Sequence, residues 1–381
     1  MGGGTPSTSK SEYWNGDIDW YAPAEIADQI YVSSSQKKIT QAGYDNSSAK
    51  MLPVGTVLFT SRAGIGKTAI LAQKGCTNQG FQSIVPHEGQ LDSYFIFSRT
   101  DELKKYGETT GAGSTFVEVS GKQMARMELL MPPTLSEQQE IGRFFASLDS
   151  TITLHQRKLD GMKLLKKSLL QKMFPKNGES VPEVRFPGFT DAWTQSKFGP
   201  LVTIERGGSP RPIDRFITDS PNGLNWVKIG DAPKQGNYIT KTAEKIRPEG
   251  LSKTREVHPG DLILSNSMSF GKPYIMAING CIHDGWLAIR NYQNSFDLKF
   301  LCVLLGTSQM LSQYKAMAAG STVNNLNKEL VGSTMVKFPC LDEQRKIGRF
   351  FESFEDSLSI NQREIDELQK LKTSFSQQMF V

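Results

Sequence analysis

The chain has few residues of the types that build metal sites, disulfide frameworks and membrane spans. Its 381 residues include four cysteines and four histidines, and neither type shows a metal-binding spacing. No apolar run reaches the roughly 18–20 residues that cross a bilayer, and the segment Met1–Pro6 lacks the basic and apolar regions of a secretory signal. We therefore expect a cytoplasmic protein without a metal site and without membrane association. Its four cysteines should be reduced packing residues.

Catalytic constellations are also missing from the sequence. His87, His155, His258 and His283 stand in no triad spacing, and nothing pairs a nucleophile with a base. We therefore predict no catalytic residue and no cofactor on this chain.

One motif suggests a phosphate-binding loop, namely Gly66-Lys67-Thr68. The full pattern requires a glycine five residues before Gly66, and that position is Ser61. A plain turn, with its lysine available for DNA phosphates, is the better interpretation. A nucleotide-hydrolysing module remains an alternative.

The overall composition is that of an ordinary globular protein. The hydrophobic share is 38%, the charged share is 22% and the formal net charge is +5. A balance of this kind permits nucleic-acid binding without requiring it. The length is typical of two or three domains.

The most informative feature is an internal duplication. The sequence Glu-Gln-x-x-Ile-Gly-Arg-Phe-Phe begins at Glu137 and again at Glu343, an offset of 206 residues. The match continues to Met-Phe at Phe174 and Phe380, with 17 of 38 positions identical. A long-period repeat of this kind indicates two copies of one structural module.

The duplication extends upstream of this segment. Short apolar runs rich in Val, Ile and Phe recur between Gly, Asn and Ser residues, which is typical of strands and turns. Each copy is therefore predicted to be a mixed α/β domain. The matched segments are 3–6 with 207–210, 55–61 with 260–266, 66–67 with 271–272, 80–84 with 285–289 and 113–115 with 320–322.

Each copy ends in a long amphipathic helix. Apolar residues alternate at spacings of four and three from Leu148 to Met173 and from Phe354 to Met379, which is the seam of a coiled coil. Two polar residues interrupt each seam at matching positions: His155 and Lys166, Asn361 and Lys372. This match favours two helices that pack against each other over two helices that each pack on their own domain. Equivalent ends of a tandem repeat with a globular domain between them favour an antiparallel pair.

Such a pair could act as a ruler. A helix of 38 residues spans roughly 57 Å at ~1.5 Å per residue, and one turn of DNA spans ~34–36 Å. Two domains on such a rod could bind sites about one turn apart. Ser136 and Asp342 are the expected helix caps.

The predicted class is α+β: two similar mixed α/β domains with two long helices forming an antiparallel coiled coil. The predicted boundaries are a first domain at 1–134, a helix at 135–175, a linker at 176–190, a second domain at 191–340 and a helix at 341–381.

These motifs resemble those of the specificity subunits of type I restriction–modification systems. The resemblance is carried by the repeated Glu-Gln-x-x-Ile-Gly-Arg-Phe-Phe helix and by the segments 55–62, 77–81 and 184–189. It covers nearly the whole chain. It implies two target-recognition domains that each read one half of a bipartite target in double-stranded DNA.

The same resemblance implies partner subunits. Two methyltransferase (modification) subunits would dock on the helices, bind S-adenosylmethionine and methylate adenine N6. Motor–nuclease (restriction) subunits would add ATP- and Mg-dependent cleavage. A stand-alone tandem DNA-binding or anti-restriction protein on the same scaffold is the alternative.

Two departures from the family pattern carry expectations. The first copy is N-terminally short, which puts its function in doubt unless another segment completes it. The second copy has His283-Asp284 where the first has Asn78-Gln79, so the two domains should read different half-sites.

DNA contacts are expected from polar and basic residues in the matched loops, since such side chains read base edges or bind phosphates. A solvated loop residue is the alternative for each. The candidates are Thr5, Ser7, Ser9, Lys10, Arg62, Lys67, Ser114, Thr115, Ser209, Arg211, Arg215, Asn266, Ser267, Lys272, Ser321 and Thr322. Trp20 and Trp226 are expected in the cores.

Partner subunits are expected on the exposed faces of the helices, with a plain solvated face as the alternative. The candidates are Gln138, Arg143, Gln156, Arg157, Gln344, Arg349, Gln362 and Arg363. The pairs Phe144-Phe145 and Phe350-Phe351 are expected to pack where each domain meets its helix.

Overall fold

The chain divides into two compact units in its computed structural model. The first unit comprises Met1–His155 and Ile365–Val381, and the second comprises Gln156–Glu364. Among the residues described, no helix has the length and apolarity needed to cross a membrane. The structure describes residues 1–27, 29–62, 64–112, 118–233, 235–266, 270–318 and 326–380.

The first unit combines short strands with helices. Its strands are β1 Trp14–Tyr21, β2 Tyr31–Val32, β3 Lys37–Ile39, β4 Val57–Phe59, β5 Thr68–Leu71 and β6 Cys76–Thr77. Its helices are α1 Gln41–Asp45, α2 Ser93–Ser98, α3 Thr100–Gly111, α4 Gly121–Met124 and the start of α5 Leu135–Lys172, with 3-10 turns at Ser11–Tyr13 and Pro23–Glu25.

The second unit repeats this plan with longer sheets. Its strands are β7 Thr194–Lys197, β8 Thr203–Arg206, β9 Ile217–Thr218, β10 Leu224–Val227, β11 Tyr238–Ile239, β12 Glu244–Ile246, β13 Arg255–Val257, β14 Leu262–Ser265, β15 Pro273–Met276, β16 Gly280–Ile282, β17 Trp286–Arg290 and β18 Met335–Phe338. Its helices are the end of α5, α6 Leu298–Leu305, α7 Ser308–Ala318, α8 Lys328–Ser333 and the start of α9 Leu341–Met379, with 3-10 turns at Gly199–Leu201, Ile213–Arg215, Ile229–Asp231 and Pro248–Lys253. The rest of α9, from Ile365, belongs to the first unit.

Strand pairing shows that the two units are copies. Strand β1 pairs parallel with β6 and antiparallel with β3, and β10 pairs in the same way with β16 and β12. Strand β5 pairs with β2 and β4 as β15 pairs with β11 and β14. Trp20 and Trp226 occupy equivalent buried positions in β1 and β10, which confirms their expected place in the cores. The predicted α+β class is confirmed.

One edge of the sheet differs between the units. In the second unit β8 pairs along four residues of β17. At the corresponding edge of the first unit, a single bridge joins Gly2 to Gln82, and the amino group of Met1 donates to Ser83 O at 2.6 Å.

The two long helices run antiparallel within each unit. In the first unit Lys372 of α9 forms an ion pair with Asp149 of α5. In the second unit Lys166 of α5 forms the equivalent ion pair with Glu355 of α9. The seam lysines are thus paired across the helices, and the antiparallel prediction is confirmed. Asn361 is also buried in its seam, where its amide donates to Ser357 O at 2.8 Å.

The predicted helix caps are wrong. Helix α5 begins at Leu135, and the hydroxyl of Thr134, rather than that of Ser136, accepts from Glu137 N at 3.3 Å. Helix α9 begins at Leu341, so Asp342 lies inside its first turn, where it pairs with Arg345 at 2.8 Å.

A buried glutamine anchors each long helix to its own domain. Gln138 Oε1 accepts from Asp92 N at 3.1 Å, and its Nε2 donates to Gln90 O at 3.2 Å. Gln344 makes the same contacts with Asp297 N at 2.9 Å and Ser295 O at 3.3 Å. The prediction that both glutamines lie on exposed faces is therefore wrong. Their side chains are 2% and 1% exposed and satisfy loop backbone groups that would otherwise be buried without partners.

The glycine of the repeated motif allows this close contact. A Cβ atom on Gly348 would lie 2.7 Å from Phe300 N and 2.7 Å from Asp297 Oδ1, and one on Gly142 would lie 2.7 Å from Asp92 Oδ1. Asp92 and Asp297 are themselves N-caps of α2 and α6. The motif is therefore an anchoring device in which helix α5 or α9 crosses the start of a shorter helix.

We expect Gly348→Ala to lower the free energy of unfolding by about 1–3 kcal/mol, because the added methyl group overpacks this contact. Gly161→Ala in α5 is the control, since no atom lies within 4 Å of the Cβ position there. It should stabilise the helix by about 0.5–1 kcal/mol. Guanidinium denaturation measures the free energy of unfolding of both variants. If Gly348→Ala stabilised the protein as much as Gly161→Ala, the anchoring role would be contradicted.

Three of the four cysteines are packing residues, as expected. Cys76, Cys281 and Cys302 are buried, whereas Cys340 is exposed, so the prediction is wrong for Cys340. Burial raises the pKa of the Cys76 thiol to about 11 and that of Cys302 to about 12. Cys340 directly precedes α9.

Candidate nucleic-acid interface

Each unit carries a glycine loop, Gly-Gly-Thr-Pro from Gly3 and Gly-Gly-Ser-Pro from Gly207, laid against the end of a parallel strand. A Cβ atom on Gly3 would lie 2.2 Å from Asn78 O, and one on Gly207 would lie 2.2 Å from His283 O. Only glycine allows the two backbones to approach this closely. The loops therefore have the same placement in both units.

In each unit the hydroxyl group of the glycine loop donates a hydrogen bond to the side chain of a residue that follows the parallel strand. Thr5 Oγ1 donates to Gln79 Oε1 in the first unit, and Ser209 Oγ donates to Asp284 Oδ1 at 2.9 Å in the second. We call Gln79 and Asp284 the strand-end residues.

A second contact fixes the backbone of each strand-end residue. Arg62 Nη2 donates to Gln79 O at 2.7 Å, and Asn266 Nδ2 donates to Asp284 O at 2.9 Å. Arg62 also lies 3.7 Å from a carboxylate oxygen of Glu118. The predicted contacts Thr5, Arg62, Ser209 and Asn266 therefore converge on the strand-end residues.

In the second unit the glycine loop borders a cavity of about 640 Å³. His283 Nε2 lies 2.9 Å from Asp284 Oδ1, and its Nδ1 accepts from Gly285 N at 2.9 Å. The imidazole also packs edge to face on Trp226, with ring centroids 5.8 Å apart. Donors, acceptors and an apolar wall thus surround one space. It is lined by Ser209, Arg211, Ile213, Asp214, Ile217, Trp226, Lys228, Glu244 and His283.

The cavity also holds basic groups. The Arg211 side chain is 76% exposed, and its Nη2 lies 3.8 Å from Asp284 Oδ2. Lys228 pairs with Glu244, and Arg215 is exposed nearby in sequence. Arginine and lysine in such a setting can bind phosphates or guanine edges.

In the first unit the residues after the glycine loop form an exposed polar surface. Ser7 Oγ and Ser9 Oγ are 2.9 Å apart, and Trp14 Nε1 donates to Ser7 O at 3.1 Å. Lys10 Nζ donates to Tyr13 OH at 3.0 Å, and this hydrogen bond raises the pKa of Lys10. The predicted contacts Ser7, Ser9 and Lys10 are therefore accessible to a ligand.

Two of the predicted DNA contacts, Lys272 and Lys67, lie beside the long helices. Lys272 lies over the Tyr274 ring at 5.0 Å and lines a cavity of about 380 Å³ together with Lys166 and Glu355. Lys67 lines an equivalent cavity of about 380 Å³ with Lys372. Both lysines therefore line cavities different from the one beside the second glycine loop.

Asn266 is a correction to the predicted contacts. Its side chain is 1% exposed, and its amide is already bonded to Asp284 O. It cannot touch a base without giving up that bond, so its role is to position Asp284. The candidates Ser114, Thr115, Ser267, Ser321 and Thr322 lie outside the described residues.

The Gly-Lys turns do not have the free amides of a phosphate-binding loop. Gly66 N donates to Thr60 O at 3.0 Å and Lys67 N to Thr60 Oγ1 at 2.9 Å. Ser265 accepts the same two bonds from Gly271 and Lys272. Because these N–H groups are already bonded, they cannot cradle a phosphate.

The remaining candidates for binding partner subunits, all on the long helices, differ in how exposed they are. Gln362 is half-buried and accepts from Gln235 Nε2 at 3.3 Å. Gln156 is exposed, and its amide donates to Asp160 at 3.1 Å. The other exposed members are Arg143, Arg157, Arg349 and Arg363.

Sequence reasoning missed Gln79, His283, Asp284, Lys228 and Glu244 as site residues. The sequence could have indicated two of them, Gln79 and Asp284, because they occupy matching positions in the duplication and differ in chemistry. Nothing in the sequence pattern placed Lys228 and Glu244 beside the glycine loop.

The sequence matches the model of the type I restriction modification DNA specificity domain twice, over residues 1–164 and 191–370. The chain belongs to this family. Each unit contains most of one specificity domain, and the two glycine loops lie in the two matched regions.

Curated specificity subunits are similar to this chain. It is 31% identical over 217 residues to the MjaIX specificity subunit of Methanocaldococcus jannaschii, covering 55% of this chain and 50% of that protein. It is 29% identical over 157 residues to the EcoR124I/EcoR124II specificity subunit of Escherichia coli, covering 39% and 38%. The chain therefore spans half or less of these two relatives. A putative MjaX specificity subunit is 20% identical over 367 residues, covering 90% of this chain and 82% of that protein.

Solved structures share the fold of these paired specificity domains. An S subunit of a type I restriction–modification system from M. genitalium superposes with a TM-score of 0.61 at 13% identity, covering 100% of this chain and 96% of that one. A chain from a study of the assembly of a type I system gives 0.59 at 18% identity, with 100% and 94% coverage.

Proposed function

We propose that this chain is the DNA-sequence specificity subunit of a type I restriction–modification complex. It would recognise a bipartite DNA target and direct adenine methylation and restriction by partner subunits, without catalysis of its own. The observation that carries the proposal is the duplicated loop framework. Two units hold one polar side chain each by the same contacts, yet the side chains differ between Gln79 and Asp284. A protein that reads two different half-sites needs this combination.

The accessible chemistry fits double-stranded DNA. Hydroxyl, amide and guanidinium groups around the glycine loops can donate to base edges, and basic side chains can neutralise phosphates. The exposed Lys10, Arg211 and Arg215 supply positive charge on the described surface.

The proposed assembly includes two modification subunits and the restriction subunits. The exposed residues Arg143, Gln156, Arg157, Arg349 and Arg363 on the helices are the proposed docking face. S-adenosylmethionine, ATP and Mg would belong to the partner subunits. With this role, we expect the protein to act in the cytoplasm.

Genome-wide mapping of N6-methyladenine tests the proposal. Cells would express this chain with a type I modification subunit from the same source, and control cells would express the modification subunit alone. We expect a new bipartite motif with a fixed gap only when this chain is present. Absence of the motif, with a complex that assembles, would overturn the proposal.

A stand-alone DNA-binding or anti-restriction protein is the second candidate, on the same scaffold. It would bind DNA without co-purifying with a modification subunit. The family match and the names of the relatives do not favour it.

That the paired helices set the gap between half-sites stays a prediction. Both helices pass from one unit into the other, at 155–156 and 364–365. Seven residues inserted at both points add ~10.5 Å of helix at ~1.5 Å per residue, or about three base pairs. We expect the methylated motif to keep its half-sites and to widen its gap by about three base pairs.

The control is a seven-residue insertion after Gly178, which lies in a turn with nothing within 4 Å of its Cβ position. That variant should methylate the unchanged motif. An unchanged gap in the helix variant would refute the ruler.

A further inference from the structure

We infer that Gln79 and Asp284 are equivalent base-reading residues, and that the two half-sites differ at the base pair each residue faces. Gln79 would face adenine and Asp284 would face cytosine. The inference rests on the proposed function and assigns one determinant of specificity in each unit.

The equivalence rests on three matching contacts. Each strand-end residue follows a parallel strand that pairs with a buried tryptophan, Cys76 with Trp20 and Cys281 with Trp226. Each side chain accepts from the glycine-loop hydroxyl. Each carbonyl accepts from a side chain that follows the corresponding strand, Arg62 three positions after β4 and Asn266 one position after β14. One of these contacts holds the strand before the strand-end residue, one holds its backbone carbonyl and one holds its side chain, so the residue has the same placement in both units.

In the second unit the carboxylate is oriented but retains an acceptor. Asp284 Oδ1 accepts from Ser209 Oγ and lies 2.9 Å from His283 Nε2. Asp284 Oδ2 has Arg211 at 3.8 Å, which is longer than a hydrogen bond. The Asp284 side chain is 34% exposed, so Oδ2 can accept from a ligand beside the cavity.

A carboxylate with one open oxygen selects an amino group. Ionised aspartate only accepts hydrogen bonds, and in the major groove it can accept from cytosine N4. Purines present the acceptor N7 there, to which guanine adds the acceptor O6 and adenine adds the donor N6. A carboxylate that accepts from adenine N6 also faces the neighbouring N7, which repels it, whereas the cytosine edge presents N4 without such an acceptor. Asp284 therefore favours cytosine over either purine.

In the first unit the amide offers a donor and an acceptor. Because Thr5 donates to Gln79 Oε1, the Nε2 group is directed away from the loop and Oε1 keeps a second lone pair. A glutamine can then donate to adenine N7 and accept from adenine N6. Gln79 is exposed, and Arg62 holds its backbone.

The test maps methylated motifs for Asp284→Gln in the full chain with its modification subunit. We expect one base pair of one half-site to change from cytosine to adenine, with the gap and the other half-site retained. Methylation of the original motif should fall by roughly 5- to 150-fold, the factor that corresponds to the discrimination of about 1–3 kcal/mol made by a good base contact. The reciprocal Gln79→Asp should change the other half-site from adenine to cytosine.

The control is Asp219→Gln, which replaces an exposed carboxylate of the same unit outside the cavity lining. It should leave the motif unchanged. Asp284→Asn serves if the glutamine variant fails to assemble, and it should likewise lose preference for cytosine in oligonucleotide binding.

The outcomes separate this inference from the proposed function. No bipartite motif with the original chain overturns the proposed function. An original motif that persists unchanged in assembled Asp284→Gln and Gln79→Asp overturns the base-reading assignment alone.

Discussion

Replacing Arg185 with alanine is expected to lower the free energy of unfolding of the second unit by about 3–5 kcal/mol. Arg185 donates from Nε and Nη2 to the two carboxylate oxygens of Glu343, both at 2.7 Å. Glu343 is fully buried, and this bidentate pair raises the pKa of Arg185. Without the arginine, a buried carboxylate at the start of α9 would lack its charge partner. Guanidinium denaturation, with hydrogen exchange to resolve the two units, measures the loss.

Two further variants separate the buried charge from a general effect of losing a cation. Lys172→Ala removes a partner of Glu183, but this pair is 46% and 45% exposed, so the loss should stay below about 1 kcal/mol. Arg185→Ala should also be less harmful when Glu343 is glutamine, because a buried neutral amide costs less than a buried charge. Equal losses for Arg185→Ala and Lys172→Ala would contradict the explanation.

Phe145→Ala is expected to destabilise the first unit by about 3–5 kcal/mol, the usual cost of removing a buried phenylalanine. Phe145 is fully buried and stacks on Phe380, which directly follows α9, with ring centroids 5.5 Å apart. The variant would leave a cavity where the domain and both helices meet within the unit. Thermal and guanidinium denaturation give the loss.

The adjacent Phe144 is the matched control. It is 40% exposed, although its ring contacts Phe375 at 5.0 Å. Phe144→Ala should cost about 1–1.5 kcal/mol. If Phe144→Ala were as harmful as Phe145→Ala, burial would not explain the motif. The expectation that the Phe-Phe pairs pack at the junction is met by Phe145 and by Phe351, which is 1% exposed.

The sequence predicted features that depend on local periodicity. The seam spacing of α5 and α9 predicted two long helices, the matched polar residues in their seams predicted that they pack against each other, and the tandem repeat predicted the antiparallel direction. Lys166 forms an ion pair with Glu355, and Lys372 forms one with Asp149 at the equivalent position. Each ion pair joins one long helix to the other. Sequence motifs also sufficed for the family, because the repeated Glu-Gln-x-x-Ile-Gly-Arg-Phe-Phe segment occurs twice at one offset.

The roles of individual polar side chains could not be predicted in the same way. Gln138 and Gln344 stand at helix positions that a sequence pattern treats as solvated, yet they bind backbone groups 46 to 49 residues away. Asn266 looked like a base contact but is buried against Asp284 O. In each case a distant segment of the chain supplies the partner.

By itself the sequence determined the duplication, the α+β class, the paired helices and the family, because these follow from residue spacing and from motifs repeated at one offset. Only the tertiary structure decided which polar residues anchor the helices and which side chains the glycine loops hold. Those roles depend on contacts such as Thr5 with Gln79 and Ser209 with Asp284, which join residues more than 70 positions apart. Folding brings such partners together through packing of the whole unit, and no local pattern encodes that geometry.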